Sequence, residues 1–156
     1  MENRRGKRYA FPHVSFKRSP YKNMNNKPIS PWIDQAECKS PDSTMTALFE
    51  NGMEIAMGAP TSGVLSVILP NGKKHLISDN SAASFVWSDD SKFIAYSRWT
   101  RSRKQNLCVF KIESLSTDVS PDEFRVLELN SFNEGKVEGI DSPVHQPRTF
   151  SLEYKQ

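Results

Sequence analysis

The chain has 156 residues, 37% of them hydrophobic, with 10 prolines, 7 glycines and a formal charge of +3. That length makes one domain whose core buries about two-thirds of the unfolded surface, and the prolines and glycines signal many turns. No run of about 18 apolar residues occurs, which excludes a membrane-spanning helix, and the basic start at residues 1–8 is followed by no apolar core, which argues against a secretory signal.

Charge is uneven along the chain. Residues 1–27 hold Arg4, Arg5, Lys7, Arg8, Lys17, Arg18, Lys22 and Lys27 against Glu2, a net of +7, and the remainder carries −4. The sequence therefore divides into a basic extended arm, residues 1–30, and a mildly acidic body, residues 31–156, expected to be a single β domain. In the arm, Tyr9, Phe11, Phe16 and Tyr21 alternate with cations, a composition that can stack on bases while Arg and Lys meet phosphates. The favoured reading is plainer: the aromatics pack along the outside of a sheet and the cations are solvated. Pro31-Trp32-Ile33 opens the body, with Trp32 expected to anchor the core.

The body reads as strand and turn. Residues 44–50 and 54–57 flank Asn51-Gly52, the pair a two-residue type I′ hairpin prefers. Residues 58–63 have the glycine spacing of a phosphate loop, but Val64 and Leu65 follow where Lys-Ser/Thr is needed, so a connector is expected. Strands 64–69 and 73–77 meet across Pro70-Asn71-Gly72. Residues 85–99 then give two strands around Ser88-Asp89-Asp90-Ser91-Lys92, whose Asp and Ser side chains can accept backbone N–H bonds and close a bend without glycine. A hairpin of 93–99 with 106–112 is joined by the cationic loop 100–105. Residues 114–122 read as a second polar loop before a strand at 124–129, and 136–154 adds one or two strands covering a sheet edge.

The Ser88–Tyr96 stretch has a counterpart 48 residues upstream, Ser40-Pro41-Asp42-Ser43-Thr44-Met45-Thr46-Ala47-Leu48, with Ser, Asp, Ser and Ala in register. Periods of 40–50 residues built from short strands mark blade-type β repeats, here placed at about 36–80 and 83–130. Trp87-Ser88-Asp89-Asp90-Ser91-Lys92-Phe93-Ile94-Ala95-Tyr96 resembles the Trp-Ser-Pro-Asp-Gly-Lys-x-Ile-Ala-Tyr signature of TolB-like and WD-like β-propeller blades. The resemblance implies a local meander only, because propellers close with 4–8 blades and two units cannot close a ring. The expected fold is all-β: two antiparallel blade-like meanders packed as a small sandwich or open propeller fragment, with little helix. Cys38 and Cys108 stand alone as thiols suited to a reducing cytoplasm, although equivalent strands of two repeats would also leave a bridge between them open.

Chemistry-bearing patterns are missing. His13, His75 and His145 lack metal-ligand spacing, and no Gly-x-Ser-x-Gly elbow presents a nucleophile. Asp89 and Asp90 are explained by a turn, and Glu50 and Glu54 by a solvated pair across a hairpin. Neither an enzyme nor a cofactor is expected. The leading functional expectation is a cytoplasmic, non-enzymatic protein-binding protein, similar in size, charge and lack of catalytic motif to small bacterial immunity proteins that mask a cognate toxin. A basic toxin domain such as a nuclease would be the partner, with Glu50, Glu54, Asp79, Asp89, Asp90, Tyr96 and Trp99 as surface candidates. The alternatives are a nucleic-acid module using Arg4, Arg5, Lys7, Arg8, Tyr9, Phe16, Lys17 and Arg18, and a self-associating β scaffold. A monomer is favoured.

Overall fold

The computed structural model describes residues 27–155, and among them there is no helix. Nothing there is long and apolar enough to cross a membrane as a helix. Ten strands follow one another: β1 (Ala36–Lys39), β2 (Thr46–Glu54), β3 (Thr61–Ile68), β4 (Lys74–Trp87), β5 (Phe93–Trp99), β6 (Gln105–Lys111), β7 (Ser116–Phe124), β8 (Leu127–Asn133), β9 (Lys136–Asp141) and β10 (Arg148–Glu153). The first seven pair antiparallel in sequence order as one sheet, and the last three form a second sheet in the order β10-β9-β8. The fold is all-β and antiparallel, as the sequence implies.

The long sheet folds over on itself through β4. This strand begins against Ile68 of β3 and ends against Ile94 of β5. Yet His75 from its first half stacks on Phe110 of β6 with ring centres 5.6 Å apart, and the Trp87 indole N–H at its far end donates to the Cys38 carbonyl of β1 at 3.0 Å. The strand must therefore double back near its middle, where register shifts interrupt the ladders to β3 and to β5. Such irregularities add the local bend a regular ladder resists. The buried faces of β2 and β3, with Ala47, Phe49, Leu65 and Val67, are thereby laid on Phe85, Trp87, Ile94, Tyr96 and Phe110 of the next layer.

The opposite face of the second layer is covered as well. Phe93, Ala95, Leu107 and Val109 pack against Leu127, Leu129, Phe132, Val137, Phe150, Leu152 and Tyr154 of the small sheet. Three layers thus stack in chain order, with the second buried on both faces, which is why β5 reads as a nearly continuous apolar run. Each fully buried Phe or Leu contributes about 1.5–3 kcal/mol. Buried hydroxyl and amide groups pin the third layer down: the Ser84 hydroxyl accepts from Leu129 N at 2.9 Å, and Gln105 Oε1 accepts from Leu127 N at 2.8 Å and from the Ser97 hydroxyl at 3.1 Å.

The two Ser-x-Asp-Ser turns, 48 residues apart, share most of their hydrogen bonds. Ser40 and Ser88 each donate through the hydroxyl to the aspartate two residues on (2.8 and 2.7 Å), and each hydroxyl accepts the backbone N–H five residues on, from Met45 (3.1 Å) and Phe93 (2.9 Å). Asp42 and Asp90 accept from Thr44 N and Lys92 N at 3.0 Å in both copies, and Ser43 and Ser91 share φ = 65°. Without glycine, this left-handed residue is held by the ring of side-chain bonds around it. The two turns touch, since Asp42 N donates to the Ser91 hydroxyl at 3.0 Å.

Several expectations need correction. Asn51-Gly52 makes no hairpin: β2 runs through it with a bulge between Glu50 and Met53, and the chain reverses later, over residues 55–60, where Ile55 N donates to Pro60 O. Asn51 takes the positive φ of 59°, while Gly52 N donates to Asp34 O, and a Cβ on Gly52 would sit 2.9 Å from both the Asp34 Cα and the Phe49 ring. The pair serves a bulge because the incoming segment 31–34 crosses here. The connector 58–63 is shorter than expected, since Thr61, Ser62 and Gly63 already belong to β3. The polar stretch 114–122 is mostly strand, β7, an outer strand with Pro121 tolerated at the sheet edge. The C-terminal strands do not extend the large sheet; with β8 they build the third layer. Trp32 is only half-buried, its indole N–H on the Gly58 carbonyl at 3.1 Å. Cys38 and Cys108 are both free.

Candidate protein-binding surfaces

The residues singled out from sequence do not converge. Asp89 and Asp90 are both exposed but have different partners: Asp90 closes its own turn, whereas Asp89 Oδ2 accepts Glu134 N at 3.0 Å and ties the second layer to the third. Glu50 and Glu54 lie on one strand rather than across a hairpin. Glu50 pairs with Lys74 at 2.9 Å and Glu54 accepts Gly58 N at 3.2 Å. Asp79 is exposed where β4 doubles back. Trp99 is half-buried and donates to the Thr61 carbonyl at 3.0 Å. Tyr96 offers no surface: it is buried between the first two layers, where desolvation raises its hydroxyl pKa. The arm residues Arg4, Arg5, Lys7, Arg8, Tyr9, Phe16, Lys17 and Arg18 lie outside the described residues.

No group of three or more His, Cys, Asp or Glu among the described residues is arranged to hold a metal ion. His75 is occupied by its stack on Phe110. Burial pushes the Cys38 thiol pKa above its ordinary value and that of Cys108 up to about 11, away from the range of a reactive cysteine.

What the structure does bring together are the two outer faces of the stack, and they differ in chemistry. On the first layer, Lys39, Thr46, Ile68 and Lys74 form one row across β1 to β4, Glu37, Leu48, Ser66 and Leu76 the next, and Glu50 and Val64 a third. Leu76 is 55% exposed, Leu48, Val64 and Ile68 are partly buried, and Ser66 between them is buried. Their counterparts 48 residues on from Thr46 and Leu48 are Ile94 and Tyr96, which the first layer covers. On the third layer the outward rows are Glu128, Ile140 and Thr149, then Ser131, Glu138 and Ser151, then Asn133, Lys136 and Glu153. This end is polar, as terminal layers of stacked repeats are.

No known protein family, curated protein or solved structure matches this chain.

Charge follows the same division. Residues 112–153, which comprise β7 and the third layer, contain nine carboxylates and three cations, a net of −6, whereas residues 28–111 contain eight and nine. Two of the nine are structural. Asp141 is 4% exposed, and its Oδ1 accepts Arg125 N and Val126 N at 3.0 and 3.1 Å, shaping the link from β7 to β8. Asp118 accepts the Tyr154 hydroxyl at 2.5 Å. Glu113, Glu123, Glu134 and Glu153 are exposed, and Glu128 is partly buried, which raises its carboxyl pKa. Sequence reasoning placed the acidic surface on 50–90 because it weighed local motifs; a charge sum taken layer by layer finds it in the last third.

Proposed function

We propose that the protein acts without catalysis, by binding another protein, and that a basic partner surface meets the acidic end of the stack formed by β7 and the third layer. The observation that carries this reading is the concentration of −6 in residues 112–153 beside residues 28–111, whose nine cations and eight carboxylates nearly cancel. Clustered charge of one sign steers an oppositely charged partner and sets orientation more than it sets affinity. The third layer is fixed to the second by buried hydrogen bonds from Ser84 and Gln105, so its outward carboxylates are presented on a rigid face. A cognate toxin of basic character, masked inside the producing cell by an immunity-type protein, is the partner class this surface suits. Two free thiols fit a reducing compartment.

The test is affinity capture with the immobilised full chain and with the variant Glu128→Gln/Glu138→Gln/Glu153→Gln. A basic protein should be retained by the wild type, released as ionic strength rises past the screening range, and bound more slowly by the variant. Retention that ignores both salt and the triple substitution would refute the reading.

A further inference from the structure

The outer face of the first layer calls for an occupant, and we infer that it is the same face of a second copy of this chain, related by a two-fold axis. The layers already in the stack define what such a face does. Thr46 and Leu48 of β2 stand where Ile94 and Tyr96 of β5 stand in the second layer, and those are covered by another β layer. Among the described residues, one end of the stack carries this apolar surface without a covering layer. The outward rows of the third layer are Glu128, Glu138, Glu153 and small polar side chains around a lone Ile140, so a head-to-tail contact would set a polar, acidic face on the Leu48, Val64, Ile68 and Leu76 stripe. A head-to-head contact joins apolar to apolar.

The charges on the face fit that arrangement. Lys39 and Lys74 occupy the row at one end of the strands, while Glu37 and Glu50 lie one and two rows along. The outer rows are about 13 Å apart at the usual rise of a strand. A two-fold axis lying in the interface and running across the strands reverses strand direction in the second copy. It therefore sets each copy's row of Lys39, Ile68 and Lys74 over the other's row of Glu50 and Val64, while the middle row of Leu48 and Leu76, with Glu37 at its edge, meets its own mate. Such an isologous contact is closed, so the assembly stops at two. The Glu50–Lys74 pair, 42% and 51% exposed, is free to exchange partners across the contact at little cost.

Sedimentation velocity of the full chain over a dilution series tests this, and the outcome does not depend on any basic partner. The wild type should run as a dimer. Leu76→Glu, at a position exposed enough to leave the monomer folded by circular dichroism, should weaken association at least about tenfold. Glu50→Lys should weaken it, and Glu50→Lys/Lys74→Glu should recover it, because the swap restores unlike charges across the axis. The inference is overturned by a wild type that is monomeric at every concentration, by a dimer that Leu76→Glu leaves intact, or by a double variant no better than Glu50→Lys. It is equally overturned by a monomer in which Leu48 and Leu76 resist hydroxyl-radical labelling, since the cover would then be this chain's own N-terminal segment.

Discussion

Replacing Gln105 with Met is the most direct probe of how the layers are joined. Gln105 is fully buried on β6, and its Oε1 accepts two buried donors, Leu127 N at 2.8 Å and the Ser97 hydroxyl at 3.1 Å. Methionine fills nearly the same volume but accepts neither, so the packing loss is small. Each orphaned donor then costs about 1–3 kcal/mol. Water cannot relieve Leu127 N, because Leu127 is 0% exposed. The two together cost about 2–6 kcal/mol, offset by about 1–3 kcal/mol because the substitution also removes Gln105 Nε2, which is buried without a hydrogen-bond partner; the net loss of about 1–3 kcal/mol is a large part of the 5–15 kcal/mol that holds an ordinary domain folded. Equilibrium urea unfolding followed by circular dichroism measures the total, and hydrogen exchange at Leu127 and Leu129 locates it. Exchange should accelerate at β8 more than at β2 or β3. A loss below about 0.5 kcal/mol, the range of an inert surface change, would show that these bonds do not secure the third layer.

Three further outcomes follow from particular contacts. Ser40→Ala and Ser88→Ala each remove a hydroxyl that accepts a backbone N–H from a buried residue, Met45 or Phe93, so each should cost about 1–2 kcal/mol in urea unfolding; unequal losses would mean that the two turns are alike in geometry but not in energy. Cys108, raised to about 11 from an ordinary 9.0 by burial, keeps its proton more firmly folded than unfolded. Its contribution is complete below pH 9 and is lost as pH rises towards 11, amounting to about 3 kcal/mol at two units of difference; alkaline titration of stability should show that decline, diminished in Cys108→Ala. Gly63→Ala would bring a Cβ to 2.6 Å from the Glu50 carbonyl and 2.8 Å from the Phe49 ring, so a thermal melt should show a loss of more than about 1 kcal/mol, with a wild-type melting temperature refuting the tight approach of β2 and β3.

Much of the middle of the fold is legible in the sequence. The strands 93–99 and 105–111, the turn at Pro70-Asn71-Gly72 and the paired Ser-x-Asp-Ser bends follow from alternation and turn chemistry alone, and the structure forms each of them. Asn51-Gly52 misleads because a pair that supplies positive φ serves a bulge as well as a hairpin, and only the crossing of Asp34 decides between them. Residues 116–124 look like a loop because an outer strand with one neighbour needs little apolar content; pairing with β6 makes it a strand. The third layer is hidden for the opposite reason. Its Leu127, Leu129, Val137 and Phe150 alternate properly, but alternation cannot tell an added edge from a separate sheet laid on a face. For the surfaces, sequence identifies charge and aromatic side chains but not depth, which is how Tyr96 was placed outside when it fills the core.

β4 serves as the last strand of one repeat and the first of the next. The 48-residue period therefore does not coincide with anything that can be lifted out: a fragment cut at either repeat boundary would carry half a strand and an open edge. Insertions belong instead in the exposed loop 101–104 between β5 and β6, where no strand is divided.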